Sequence, residues 1–258
     1  MMGVLTEPKI DAHCHVLDPA KFPYNPDVAY HPAGQEMGKA EYFLQLMACY
    51  EVKHALLVGP NSGYATDNRC LLHALQIGQG AFKGIAVVPN DCPLETLQVL
   101  KAQGVIGLAF NAALMGFDFY AGIEPLLRRL RQLDMWAQFQ VDKDLLPRFL
   151  PMLSRVDVKV MVDHCGRPHL PDGVSQALLA LGREQRAVVK LSGFAKFSEA
   201  GYPFADVRPY VQALVRDFGL KQCVWASDWP YLKAPYRLDY GPMLRTYESM
   251  FTPQERRQ

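Results

Sequence analysis

Apolar residues along the chain follow two alternating rhythms. Short runs rich in Val, Ile, Leu and Phe recur at residues 9–15, 54–60, 84–89, 105–110, 136–141, 159–164, 187–192 and 223–228. Their length and β-branched content predict strands. Between them, apolar positions three and four residues apart predict helices over 39–50, 70–79, 94–103, 123–133, 145–154, 173–184 and 204–218. Leu126, Leu127, Leu130 and Leu133 make one such stripe, the mark of a helix with one face on a core. Eight strands alternating with helices predict an α/β fold with a parallel sheet, and the count predicts a (β/α)8 TIM barrel. An open doubly wound sheet normally carries a glycine-rich phosphate turn after its first strand. This chain has His13-Cys14-His15 there instead.

Composition narrows the picture. With 258 residues, half of them hydrophobic, the chain can bury a sizeable core, and one barrel domain over 1–258 is expected. A net charge of +1, from 27 basic and 26 acidic residues, offers no footprint for nucleic acid or an anionic membrane, so the expected partner is a small molecule. No apolar stretch is long enough to span a bilayer, and the first nine residues lack a basic start followed by an apolar run. The six cysteines stand singly, without CxxC pairs, which suits reduced thiols and a cytoplasmic location. Residues 19–32, rich in Pro and aromatics, read as an ordered loop after the first strand, over the catalytic face or packed on the barrel rim. Thr252, Pro253 and Glu255 carry a helix-start signature with few residues after it, so a truncated or disordered terminal helix is expected.

In such a barrel the active site forms where the strands end, so ionisable residues there are the candidates. Four ends stand out: His13 with His15, His164, Lys190 and Asp228. The period of two in a strand directs His13 and His15, with Asp11, to one face. Two imidazoles so placed suit either one metal ion or two hydrogen bonds to a substrate oxygen. His164 closes the apolar run 160–162, and Asp228 closes 224–226 ahead of Trp229-Pro230. Three imidazoles and a carboxylate at one mouth can support hydrolysis, the carboxylate taking a proton from water while the imidazoles polarise a carbonyl. Lys190, a charge on an apolar strand, must meet a carboxylate or a substrate anion. The loop 62–68, including Tyr64, suits either a polar substrate or bracing of the mouth.

Five stretches in order resemble the amidohydrolase superfamily, in particular its branch of 2-pyrone-4,6-dicarboxylate and sugar lactonases. They are Ile10-Asp-Ala-His-Cys-His15, Gly59-Pro-Asn-Ser-Gly-Tyr-Ala-Thr-Asp-Asn68, Asp163-His-Cys-Gly166 with Pro168, Lys190-Leu-Ser-Gly193 and Ser227-Asp-Trp-Pro230. The resemblance implies a distorted (β/α)8 barrel and hydrolysis of a cyclic ester, with Asp228 activating water and His13, His15 and His164 near the lactone carbonyl. Metal-dependent members carry Lys or Glu on strand four and His on strand five. Here those strands offer Ala109 and Asn111, then Gln138 and Gln140. No required metal is therefore the first expectation, with a single zinc ion on His13, His15 and Asp228 as the alternative. The arginines that hold substrate carboxylates after strand four in the dicarboxylate lactonase are also missing. Arg167 and Lys196 are expected to anchor one carboxylate, with Lys190, Tyr64, Asn111 and Gln140 as further substrate contacts. Metal-assisted amide hydrolysis and non-oxidative decarboxylation are the enzymatic alternatives within the superfamily. A barrel that binds without catalysis is the non-enzymatic one.

Overall fold

In the computed structural model, which describes residues 3–142 and 145–258, eight parallel strands lie in one sheet in chain order. They are β1 (Lys9–Cys14), β2 (Val52–Val58), β3 (Phe82–Ala86), β4 (Val105–Asn111), β5 (Trp136–Gln140), β6 (Lys159–Val162), β7 (Ala187–Leu191) and β8 (Cys223–Trp225). Each falls on one of the expected apolar runs. A helix follows every strand: α1 (Ala40–Cys49), α2 (Arg69–Ile77), α3 (Leu94–Ala102), α4 (Glu124–Gln132), α5 (Leu145–Val156), α6 (Gln176–Arg183), α7 (Arg208–Phe218) and α8 (Tyr240–Met250). The architecture is a (β/α)8 barrel. None of the helices among the described residues is long and apolar enough to cross a membrane.

Among the described residues, two helical segments of eight or more residues were not expected from the sequence. Helix α8 buries Met243, Leu244 and Tyr247 against the barrel, but Gly241 and Pro242 in its first turn mask the periodicity. A proline there costs no intrahelical bond, because the first amides of a helix have no acceptor. The other segment, Ala112–Phe119, follows β4 and turns at Gly116, whose φ is +77°. The last residues of the sequence include one helical turn, Pro253–Arg256. Thr252 and Glu255 cap it reciprocally, and Arg256 is clamped on Glu7 at 2.7 Å.

The helix faces and outer strand faces share one continuous core, while Leu56, Val58, Ile85 and Met161 form a small separate cluster. The loop 19–32 is tied down: Asn25 N donates to Gly63 O at 2.7 Å, and Gly63 N to Tyr30 O at 2.9 Å. The Tyr24 ring lies where a Cβ on Gly63 would stand, 2.6 Å away, and Gly63 has a φ of +77°. Glycine is the residue that fits both conditions. The six cysteines are free thiols, four of them buried.

The barrel is least regular where β8 meets β1. Seven neighbouring pairs form parallel ladders, whereas this seam has a single bridge, Cys14 to Trp229. Around the bridge, Asp228 N donates to His13 O and His15 N to Trp229 O, both at 2.8 Å. Below it a side chain replaces the ladder. The fully buried Asp11 accepts from Ser227 N at 2.9 Å through Oδ1 and from the Tyr240 hydroxyl at 2.8 Å through Oδ2, tying β1 to both the end of β8 and α8. His13 N also donates to Oδ1 at 3.3 Å, so removing the carboxylate would take an acceptor from three buried donors, at about 1–3 kcal/mol for each left unpartnered. Asp11→Ala is expected to lower unfolding stability by about 3 kcal/mol, read from the urea midpoint. A loss below about 1 kcal/mol would mean that the main-chain bonds close the seam unaided.

Candidate active site

Strand β1 delivers His13 and, one residue past its end, His15 to the mouth, with period-two spacing keeping both rings on the interior side. His13 is 1% exposed. Its Nδ1 has two neighbours, Asp163 Oδ1 at 3.2 Å and Lys190 Nζ at 3.3 Å, and its Nε2 stands 3.2 Å from His15 Nε2. His15 Nδ1 lies 2.8 Å from Val58 O. A carbonyl only accepts, so Nδ1 carries the proton, and in the neutral ring Nε2 presents a lone pair.

Beyond β6 the backbone enters the left-handed region at His164 (φ +52°) and Cys165 (φ +57°), then at Gly166 and Arg167. This turn swings the His164 ring over His13, with centroids 4.7 Å apart. Ser192 Oγ lies 2.9 Å from His164 Nδ1. The next residue, Gly193, has a φ of +69°, and a Cβ there would stand 2.8 Å from His164 Cβ and Cγ. The Ser-Gly pair after β7 therefore serves the histidine after β6. Gly193→Ala should push His164 out of place and lower turnover at least about tenfold, since displacement near 1 Å can cost a hundredfold. Turnover equal to the parent's would detach His164 from catalysis.

Asp228 also sits in the left-handed region, at φ +62°, where Asp is tolerated better than most residues. The carboxylate is 3% exposed. Lys196 Nζ meets Oδ2 at 2.9 Å. Oδ1 faces His15 Nε2 at 3.6 Å and the Nε2 atoms of His13 and His164 at 3.8 Å. Those spans are too long for hydrogen bonds, and Oδ1 is a buried acceptor without a donor. Burial pushes the Asp228 carboxyl upward, but the Lys196 ammonium and His164 outweigh it and hold the group well below the usual range. Burial lowers His13 to about 4 against the pull of Asp163, and His164 to about 3 against Asp228. Both imidazoles are thus neutral near pH 7. Trp229, next to Asp228, stacks on Phe43 at 4.7 Å and covers Gly38, where a Cβ would stand 2.2 Å from the indole.

Above these groups opens a cavity of about 440 Å³, lined by His13 and His15 and by Ser62, Asn111, Gln140, Arg167, Lys196 and Lys233, among others. Arg167 has no carboxylate within 4.0 Å among the described residues. Three cationic side chains round one opening suit an anionic ligand.

The family model described as Amidohydrolase matches residues 10–258. The chain belongs to the amidohydrolase family. It is 27% identical over 229 residues to a 4-sulfomuconolactone hydrolase of Hydrogenophaga intermedia, covering 86% of this chain and 74% of the relative. To a 2-pyrone-4,6-dicarboxylate hydrolase of Comamonas testosteroni it is 26% identical over 238 residues, covering 86% and 76%. Among solved structures, a Pseudomonas putida protein provisionally assigned as a 2-pyrone-4,6-dicarboxylic acid hydrolase superposes with a TM-score of 0.83 at 26% identity, covering 98% of this chain and 93% of that one. A zinc-bound amidohydrolase of Burkholderia multivorans superposes with a TM-score of 0.71 at 19% identity, covering 97% and 95%.

In this amidohydrolase chain His13, His15 and Asp228 each offer a ligating atom within 4.8 Å of the others. The unpartnered Oδ1 and the two Nε2 atoms 3.2 Å apart are close to what one tetrahedral zinc gathers, about 3.4 Å between ligands. The donor set fits one divalent ion. A second cluster, His13, Asp163 and His164, already holds a cationic side chain, with Lys190 Nζ 3.2 Å from Asp163 Oδ1.

Of the residues singled out in the sequence, His13, His15, His164 and Asp228 converge, and Asn111, Gln140, Arg167 and Lys196 line or border the cavity. Two expected substrate contacts lie elsewhere. Lys190 is fully buried, donating to Gln138 Oε1 at 2.5 Å and paired with Asp163, so its charge is met by a carboxylate within the barrel. Tyr64 is 2% exposed and its hydroxyl accepts from Asp18 N at 3.0 Å, a brace rather than a cavity wall. Asn68 braces too, bonded to both N and O of Val87. Sequence reasoning assigned no role to Asp163, Gln138 or Ser192, although Asp163 and Ser192 stood inside recognised motifs. Lys233 follows the Trp-Pro motif without any pattern of its own.

Proposed function

We propose that this amidohydrolase opens a lactone carrying at least one acidic group, with Asp228 as general base. The single observation that carries this reading is the buried Asp228 carboxylate, one oxygen of which has no donor and faces the His15 imidazole at 3.6 Å, beside a cavity ringed by cationic side chains. The lactone hydrolases among its relatives, acting on a sulfonated and a dicarboxylated ring by their names, point the same way.

Asp228 Oδ1, a buried acceptor without a donor, takes one proton of a water at the cavity floor and turns its oxygen lone pair toward the ring carbonyl. A Ser192 hydroxyl donating to His164 Nδ1 leaves that ring with a proton on Nε2, available to the lactone carbonyl. The water oxygen bonds to the carbonyl carbon, its proton passes to Asp228, and the ring C–O bond breaks. The leaving oxygen recovers the proton, giving the hydroxy acid, which ionises at neutral pH. Arg167, Lys196 and Lys233 hold the acidic substituent, with Asn111 and Gln140 beside the ring. The metal-free route is our first reading. A divalent ion on His13, His15 and Asp228 would supply Lewis acidity at the carbonyl and a more acidic water.

A panel of sugar lactones, muconolactones and pyrone carboxylates, followed by proton release with and without exhaustive chelation, tests the reading. Turnover of an acidic lactone is expected to survive chelation. Asp228→Asn should lower kcat/KM about a thousandfold. Failure on every lactone, with amide hydrolysis or carbon dioxide release from an aromatic acid instead, would overturn it. Arg167→Met should raise KM for an acidic lactone about tenfold or more, a charge-assisted bond being worth about 1.5–3 kcal/mol, with little effect on neutral lactones. Equal losses on both would remove Arg167 from substrate recognition.

A further inference from the structure

We propose that Lys190 is a positioning residue that selects the tautomer of His13, and that the site changes between metal-free and metal-holding forms by moving one proton across that ring. The inference rests on the one-ion donor set described above, not on the identity of the substrate. Its basis is a conflict at His13. His15 Nε2 bears a lone pair, because Nδ1 of that ring is committed to Val58 O at 2.8 Å. His13 Nε2 stands 3.2 Å away, and two facing lone pairs at that distance repel. A proton or a cation must lie between or beside them.

His13 Nδ1 has a partner for each solution. In the first, Lys190 Nζ at 3.3 Å donates to Nδ1, so the ring proton sits on Nε2 and points to His15. The result is a chain of donors in one direction: Lys190 to His13, His13 to His15, His15 to Val58 O. Every polar hydrogen in it has an acceptor, no ion is needed, and the His13 lone pair is unavailable to one. In the second, Nδ1 carries the proton and donates to Asp163 Oδ1 at 3.2 Å. Both Nε2 lone pairs are then free, and with Asp228 Oδ1 they would be the atoms to hold an ion. The ring keeps one proton throughout.

Lys190 is placed to make this choice. It is fully buried and shut off from the cavity, and its other contacts are Gln138 Oε1 at 2.5 Å and Asp163 Oδ1 at 3.2 Å. When it withdraws its hydrogen from His13, those two acceptors retain it. Gln138 Nε2 in turn donates to Asp163 Oδ2 at 2.9 Å, so the carboxylate is satisfied in both states. An amine and a carboxylate at nearly equal distance from one imidazole nitrogen make the two tautomers close in energy, and an ion decides between them.

Long-range proton–nitrogen NMR of the histidine rings reads the tautomer directly, with His13 assigned by its loss in His13→Gln. In chelated wild-type protein His13 should carry its proton on Nε2, and added zinc should move it to Nδ1. Lys190→Met, which removes the donor and keeps the chain length, should show the Nδ1 proton without metal. It should also bind zinc at least ten times more tightly in competition with a chelator. A proton on Nδ1 of His13 in the chelated wild type would overturn the proposal, as would a folded Lys190→Met protein whose zinc affinity stays within twofold of the parent or is lost. If that variant does not fold, the wild-type spectra with and without zinc decide alone. None of these readouts involves turnover, so failure here leaves the lactonase reading standing, and the reverse.

Discussion

Closure of the barrel between its first and last strands brings the chemistry together. His13 and His15 lie more than two hundred residues from Asp228, and the seam that joins them is thin: one bridge, two main-chain hydrogen bonds and the Asp11 carboxylate. Because Asp228 N donates to His13 O, the residue bearing the buried carboxylate and the one bearing the first imidazole share a main-chain hydrogen bond. A regular ladder would have kept Asp228 in a strand. The left-handed backbone at this residue instead turns its side chain over β1, and the strain, of order 1–3 kcal/mol for such a residue, is held in place by Trp229 packed on Phe43 and Gly38.

The electrostatics divide two buried carboxylates between two tasks. Asp163 and Asp228 each face a lysine and imidazoles, and in each the opposing charges outweigh the rise that burial would cause. The difference lies in what else reaches them. Asp163 borders the cavity, but Lys190, Gln138 and His13 engage both of its oxygens. Asp228 has one buried oxygen without a donor and meets Lys196, a cavity-lining residue, through the other. Groups of one type acquire structural and reactive roles from their surroundings. Neutral imidazoles complete the arrangement, since burial of additional positive charge beside two lysines would be costly.

Much of this was legible from residue order. The eight apolar runs and their spacing point to the barrel because parallel strands buried on both faces carry a continuous signal. The strand-end rule then singles out His13, His15, His164 and Asp228 without any contact being known. Two kinds of feature were not legible. Helix α8 hides because Gly241 and Pro242 are poor helix formers that tertiary packing overrides. The partners of buried charges hide because pairing is a property of space: nothing in the order of residues says that Lys190 points inward to Asp163, or that Ser192 and Gly193 serve a histidine on the neighbouring strand. Lys233, a lone basic residue after Pro230, joins the cavity only through the path of its loop.

The seam, the split between the two carboxylates and the cationic mouth underlie the proposal that the site holds water on its floor and an acid group at its rim. A crystal structure of the Asp228→Asn protein soaked with an acidic lactone that the parent hydrolyses tests that description most directly. The account predicts an intact ring with its carbonyl oxygen within hydrogen-bond distance of His164 Nε2 and its acidic group on Arg167 and Lys196. A ring bound with its carbonyl away from the three imidazoles, or with its acidic group in solvent, would contradict it.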